Sequence, residues 1–139
     1  MIRIIFSVLI LVAGLSVKAG VYTGNRSPAK VIIITVNESG LVYMSRDTMS
    51  IESITAELQN RLWKSYMGTG KMYDSVYLQF NGEVVADIKS AAVDAIREAQ
   101  KKVLISICLE KYNKLFADIN SRQQDKIRKL FPVLFQQNF

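Results

Sequence analysis

The chain of 139 residues has no histidine and one cysteine, Cys108. Without histidine it lacks the usual catalytic base and the commonest metal ligand, which excludes Cys-His and Ser-His-Asp nucleophilic catalysis. A lone cysteine cannot form an intrachain disulfide, and with nothing to activate it Cys108 reads as a buried structural thiol. No GxxxxGK[ST] phosphate loop occurs; Gly68-Thr69-Gly70 leads toward a strand and reads as a linker. The net charge of +6 is mild, falls to +4 without Arg3 and Lys18, and is scattered. No basic stripe with interleaved aromatics is present, so nucleic acid is not an expected partner. Internal repeats and low-complexity tracts are absent too. Half the residues are hydrophobic and 22% are charged, which predicts one packed domain.

Residues 1–19 read as a leader. Arg3 supplies a positive start, Ile4 to Val17 is an uncharged and mostly apolar run, and Val17 with Ala19 fits a small-residue cleavage site. Fourteen residues span about 21 Å as a helix, short of the ~30 Å hydrocarbon core. A cleaved signal peptide is therefore favoured. An uncleaved anchor extended through Lys18, Val21 and Tyr22 is the alternative, and on either reading Arg3 stays inside and the body is exported. Residues 20–29 are a turn-rich linker.

The body is organised around Val76 to Leu109. Val76, Leu78 and Phe80 alternate with polar or amphipathic residues, as in a half-buried strand. Asn81-Gly82 breaks the run. Asp87 is a candidate helix cap, and Ile88, Ala92, Ile96 and Ala99 recur at helical spacing. Lys101-Lys102 suit a helix end, and Val103 to Leu109 (VLISICL) reads as a second, fully covered strand. The expectation is a βαβ unit with a parallel pair. Asn-Gly between apolar runs also permits a hairpin with Glu83 to Ala86 returning as a strand.

Upstream, Val31 to Val36 is a β-branched strand. Asn37 to Gly40 is a turn in which Gly40 can take positive φ, and Leu41 to Met44 returns antiparallel. Arg46-Asp47 forms a bend. Ser50 is a candidate cap for a helix over 51–65, whose face is Ile51, Ile54, Leu58 and Leu62 and which Gly68-Thr69-Gly70 ends. Downstream, Asn120 or Ser121 caps a last helix with Ile127, Leu130 and Phe131 as its apolar face, stopped by Pro132. The tail after it packs on the domain, adds an edge strand or docks elsewhere.

The predicted fold is thus α+β or α/β: a small mixed sheet in the order β-β-α-β-α-β, helices on one face, and a C-terminal helical extension. The folded domain is expected over residues 30–110 and the extension over 111–139. Candidate acid-base groups are Glu83, Asp87, Asp94 and Glu98. Asp94 and Glu98 lie four apart beside Arg97 and Lys101, the pattern of a solvated helix face rather than a carboxylate pair across a cleft. Trp63, Tyr73 and Tyr77 read as packing residues. No catalytic, cofactor-binding or metal-binding residues are expected, and the chain is not expected to be an enzyme.

The segments KVIIITVNESGLVYM, MSIESITAELQNRL and SVYLQFNGEVVADIKSAAVDAIREAQKKVLISI, in this order, resemble the extracytoplasmic domain of the ExbD/TolR biopolymer transport family. Thr35-Val36-Asn37 and Ser39 to Tyr43 match its opening hairpin, Ser50 to Leu62 its first helix, and Val76-Tyr77-Leu78 with Asn81 to Val84 its third strand and following loop. Val93-Asp94-Ala95 fits the next helix. The stretch YNKLFADINSRQQDKIRKLFP is similar to an extension in some members, and the resemblance covers about residues 30–132. It implies a periplasmic, membrane-proximal homodimeric module of machinery coupling the proton-motive force to envelope transport, with ExbB/TolQ-like and TonB/TolA-like partners. Ile4 to Val17 departs from the pattern, having no acidic residue where members carry a proton-handling aspartate.

Overall fold

A computed structural model describes residues 28–136. The leader of residues 1–19, nearly all of the linker and the last three tail residues lie outside the described residues. Three strands open the fold: β1 (Val31–Asn37), β2 (Val42–Met44) and β3 (Asp47–Met49). Helix α1 (Ile51–Thr69), strand β4 (Ser75–Asn81) and helix α2 (Ala86–Tyr112) follow. A 3-10 turn at Phe116–Asp118, helix α3 (Ser121–Leu130) and a second 3-10 turn at Pro132–Phe135 complete the chain. The architecture is α+β, with one mixed four-stranded sheet in the order β3-β2-β1-β4.

The opening hairpin forms as its sequence dictates. Asn37 Oδ1 accepts from the backbone N–H of Ser39 at 3.1 Å and of Leu41 at 2.9 Å, and Gly40 takes φ +79°. The hairpin pairs antiparallel, Thr35 opposite Tyr43. The Arg46-Asp47 bend proves to be the start of β3, a short edge strand whose Asp47 is held by Arg61 of α1. Ser50 sits at the N-cap of α1, but its hydroxyl caps no backbone amide and lies 3.3 Å from that of Ser53. The helix runs past residue 65 to Thr69. Gly70, at φ +67°, closes it with its N–H on the Tyr66 carbonyl.

A parallel pair exists, but not where the sequence places it. β4 pairs with β1, Ile33 beside Tyr77, and the connection between them is β2, β3 and α1. The segment after Gly82 is a loop into a helix, as the favoured reading has it, not a hairpin. The helix is longer than expected. Val103 to Leu109 is not a strand; it continues α2, which spans 27 residues, about 40 Å at 1.5 Å each. Buried Ala92, Ile96, Ala99, Val103 and Ile107 step by four, three, four and four, an unbroken helical stripe. Nothing between Glu98 and Val103 interrupts the helix. Lys102 is not at its end but mid-helix, 3.9 Å from Glu98 one turn back. Asp87 is not the cap either: Val85 holds that position, and Asp87 lies in the first turn, where its charge suits the dipole.

Both long helices cover one face of the sheet. Ile32, Ile34 and Val36 of β1, with Val42, Met44 and Val76, meet Ile54, Leu58 and Leu62 of α1 and the α2 stripe in one core. Residues after 110 belong to this core. Ile119, Ile127, Phe131, Val133 and Leu134 are buried in it, and the Phe135 ring lies 5.6 Å from that of Phe116. Asn120 caps α3 through a reciprocal box with Gln123. Leu130, expected on the apolar face of that helix, instead points to solvent at 51% exposure. Among the described residues no helix is long and apolar enough to cross a membrane.

Candidate interaction surface

Among the described residues, no helix covers the second face of the sheet. Strand alternation turns Ile33 of β1, Tyr43 of β2 and Tyr77 of β4 outward, at 49%, 41% and 56% exposure. Ile33 and Tyr77 are direct neighbours across the parallel ladder, and Tyr43 stands opposite Thr35. Val31, Ile33, Thr35, Tyr43 and Ser45 line a shallow depression here. Isoleucine beside two tyrosines forms an amphipathic surface of the kind protein partners cover.

This face continues to an unpaired strand edge. β4 is the outer strand of the sheet, and among the described residues no other strand pairs with its far side. The Val76 N–H points away from β1 and donates to Gln136 Oε1 at 2.9 Å. Successive residues of a strand direct their backbone groups to opposite sides, so those of Leu78 and Phe80 face outward as well. Beyond the Val76 N–H that Gln136 occupies, an incoming strand would find the donors and acceptors of Leu78 and Phe80 in register. The opposite edge, β3, is three residues long and offers less backbone.

The candidate acid-base groups do not converge. Glu83, Asp87, Asp94 and Glu98 are all exposed, and Glu98 is paired with Lys102. No group of three metal-ligating side chains occurs among the described residues. Cys108 is buried as expected, though on α2 rather than in a strand, and burial pushes its thiol pKa up. Trp63 and Tyr73 pack against the core, whereas Tyr77 does not and belongs to the open face.

One polar cluster is tightly organised. The Tyr66 hydroxyl donates to Glu110 Oε2 at 2.7 Å, and burial together with that carboxylate raises its pKa to about 12. Such a phenol holds its proton at neutral pH and serves as a structural tie between α1 and α2.

Ile33 and Tyr43 carry no local signal that marks them as a surface. The run of six β-branched residues in VIIITV hides the alternation that would have divided it between two faces. Only the short VYM of β2 shows it, and its buried-exposed-buried pattern matches that spacing. Comparison with protein-family models and with curated proteins finds no match for this chain.

Proposed function

We propose that the chain is an ExbD/TolR-like periplasmic subunit of a proton-motive-force-coupled envelope transport complex, working through protein–protein contacts. The observation that carries this reading is the uncovered sheet face of Ile33, Tyr43 and Tyr77 running into the unpaired edge of β4. Surface and edge together suit a partner that adds a strand and lays side chains across the sheet. The resemblance implies the order β-β-α-β-α-β, and its first five elements support the reading, with β3 as an added short strand.

Two observations favour a second reading, a stand-alone periplasmic interaction module without energy coupling. Ile4 to Val17 has no acidic residue to handle protons. The final strand implied by the resemblance is helix in this chain, and α3 packs into the core after it.

The test is site-specific photo-crosslinking in the native envelope. A crosslinker at Tyr43 or Tyr77 captures an ExbB/TolQ-like or TonB/TolA-like protein, or a second copy of the chain, while one at Glu98 on the solvated side of α2 does not. Equal capture from Glu98 overturns the surface assignment. Intact mass separates the two readings: retention of residues 1–19 favours the complex subunit, and a mature start at Gly20 favours the free module.

A further inference from the structure

Away from the open sheet face, one end of the molecule gathers cations around exposed apolar surface. A cleft of about 760 Å³ lies between the C-terminal end of α1, the segment leading into β4 and the last residues of α3. Lys30, Lys71 and Lys111 line it, over an apolar floor that includes Tyr66, Met72 and Phe131. A second depression of about 560 Å³ follows, lined by Arg122, Lys126 and Lys129 of α3. These three recur at spacings of four and three, so they share one flank of the helix. Exposed Leu130 borders both hollows and joins them.

The acidic groups in and beside these hollows are already engaged. Asp74 accepts from the backbone N–H of Lys30 at 2.5 Å, Glu110 accepts from Tyr66, and Asp125 lies 3.4 Å from Arg128. Lys30 Nζ donates to Ser65 Oγ at 2.8 Å and lies 4.4 Å from the centre of the Tyr73 ring. Among the described residues, Lys71, Lys111, Arg122, Lys126 and Lys129 form no ion pair within 4.0 Å. Six cations thus line the two hollows against two lining carboxylates, Asp74 and Asp125, an excess of positive charge around a leucine and an apolar-floored cleft.

The place where the chain enters the body says what would meet this end. Pro28 lines the cleft, and residues 18–27 connect it to the apolar run Ile4 to Val17. Ten residues reach at most about 35 Å. A leader held in a bilayer keeps the cationic cleft within that distance of lipid headgroups.

We propose that this end is a docking surface for an anionic phospholipid bilayer, with a headgroup phosphate seated among Lys30, Lys71 and Lys111 and Leu130 entering the interfacial layer. Cations supply attraction to the surface and the exposed leucine supplies apolar burial, the pairing that interfacial segments use. The proposal uses neither the sheet face nor the β4 edge; its proximity argument shares with the transport reading a leader retained in the membrane, whereas the cationic lining and exposed Leu130 do not rest on it.

Hydrogen exchange on the full chain tests it. The probes are zwitterionic phosphatidylcholine vesicles, vesicles in which a third of the lipid is phosphatidylglycerol, and inorganic phosphate alone. The expected result is protection of residues 29–30, 66–72 and 122–131 on the anionic vesicles only, weakening as salt is raised. In the variant Lys71→Gln, Lys111→Gln, Lys126→Gln, the preference for anionic over zwitterionic vesicles falls by on the order of fivefold per lysine removed. Equal protection on zwitterionic vesicles, or none on either, overturns the proposal. Protection by inorganic phosphate at the same level makes the cleft a free-anion site and overturns the bilayer assignment. If the triple variant melts early, the three wild-type arms decide the matter alone.

Discussion

The side chain of Gln100, midway along α2, donates from Nε2 to the backbone carbonyl of Val133 at 2.5 Å, inside the core. This bond ties the last turn of the chain to the central helix and satisfies a carbonyl that water cannot reach. It also explains a polar residue in an otherwise apolar stripe. Gln100→Leu keeps the shape but leaves the Val133 carbonyl unpaired, at a cost of about 1–3 kcal/mol. The expected outcome is a lower urea midpoint with an unchanged slope, and a midpoint equal to wild type refutes the role assigned to the pair.

Gly82 and Glu38 meet across two loops. Glu38 Oε1 accepts from the backbone N–H of Glu83 at 3.0 Å, and Gly82 stands at φ +81°. A Cβ on Gly82 would fall 1.9 Å from that same oxygen. Gly82→Ala therefore forces the carboxylate off its donor and adds left-handed strain of about 1–2 kcal/mol. Combined with Glu38→Ala, the total loss is expected to be smaller than the sum of the two, because the alanine at 82 has already broken the bond. Strict additivity in a double-mutant cycle contradicts the contact.

Tyr66 makes stability depend on pH at the alkaline end. Its folded pKa is raised from 10.0 to about 12, first by burial and then by Glu110, so the folded protein binds this proton more tightly than the unfolded chain does. The contribution is complete below pH 10 and is lost as pH climbs from 10 through 12. Tyr66→Phe should lose about 1 kcal/mol at neutral pH and show a shallower alkaline decline. Denaturant melts at stepped pH check both. An alkaline decline identical in the two proteins removes Tyr66 as its source.

Leu58 lies fully buried between α1 and the sheet. Leu58→Asp places a carboxylate where neither water nor a cation can reach it, a penalty of several kcal/mol that a domain of this size does not survive. Loss of the cooperative thermal transition is the expected circular-dichroism result.

Cys108 should react only through unfolding. Its thiol is buried on α2 and its pKa is raised, so little thiolate exists and no reagent reaches it. Alkylation is expected to track the fraction unfolded across a urea series; rapid labelling in native buffer would place the thiol elsewhere.

Elements whose signals lie within a few residues were legible along the chain alone. Asn37 and Gly40 wrote the first turn, Gly70 the end of α1, and the spacing of Ile54, Leu58 and Leu62 the face of α1; the start of α3 was narrowed to Asn120 or Ser121, and the Asn120–Gln123 box chose between them. The sequence also spread Glu83, Asp87, Asp94 and Glu98 along exposed positions, so their failure to converge was legible. Tertiary structure decided the rest. VLISICL has the composition of a strand, yet each of its buried residues fits a stripe that begins at Ala92, and packing against α1 and the sheet carries the helix through it. The parallel partner of β4 is β1, 44 residues upstream, and no local signal names it. The open sheet face, the free β4 edge and the cationic cleft share that origin. Each gathers residues distant in the chain, and alternation and periodicity describe only which side of an element a residue takes, not what lies beside it.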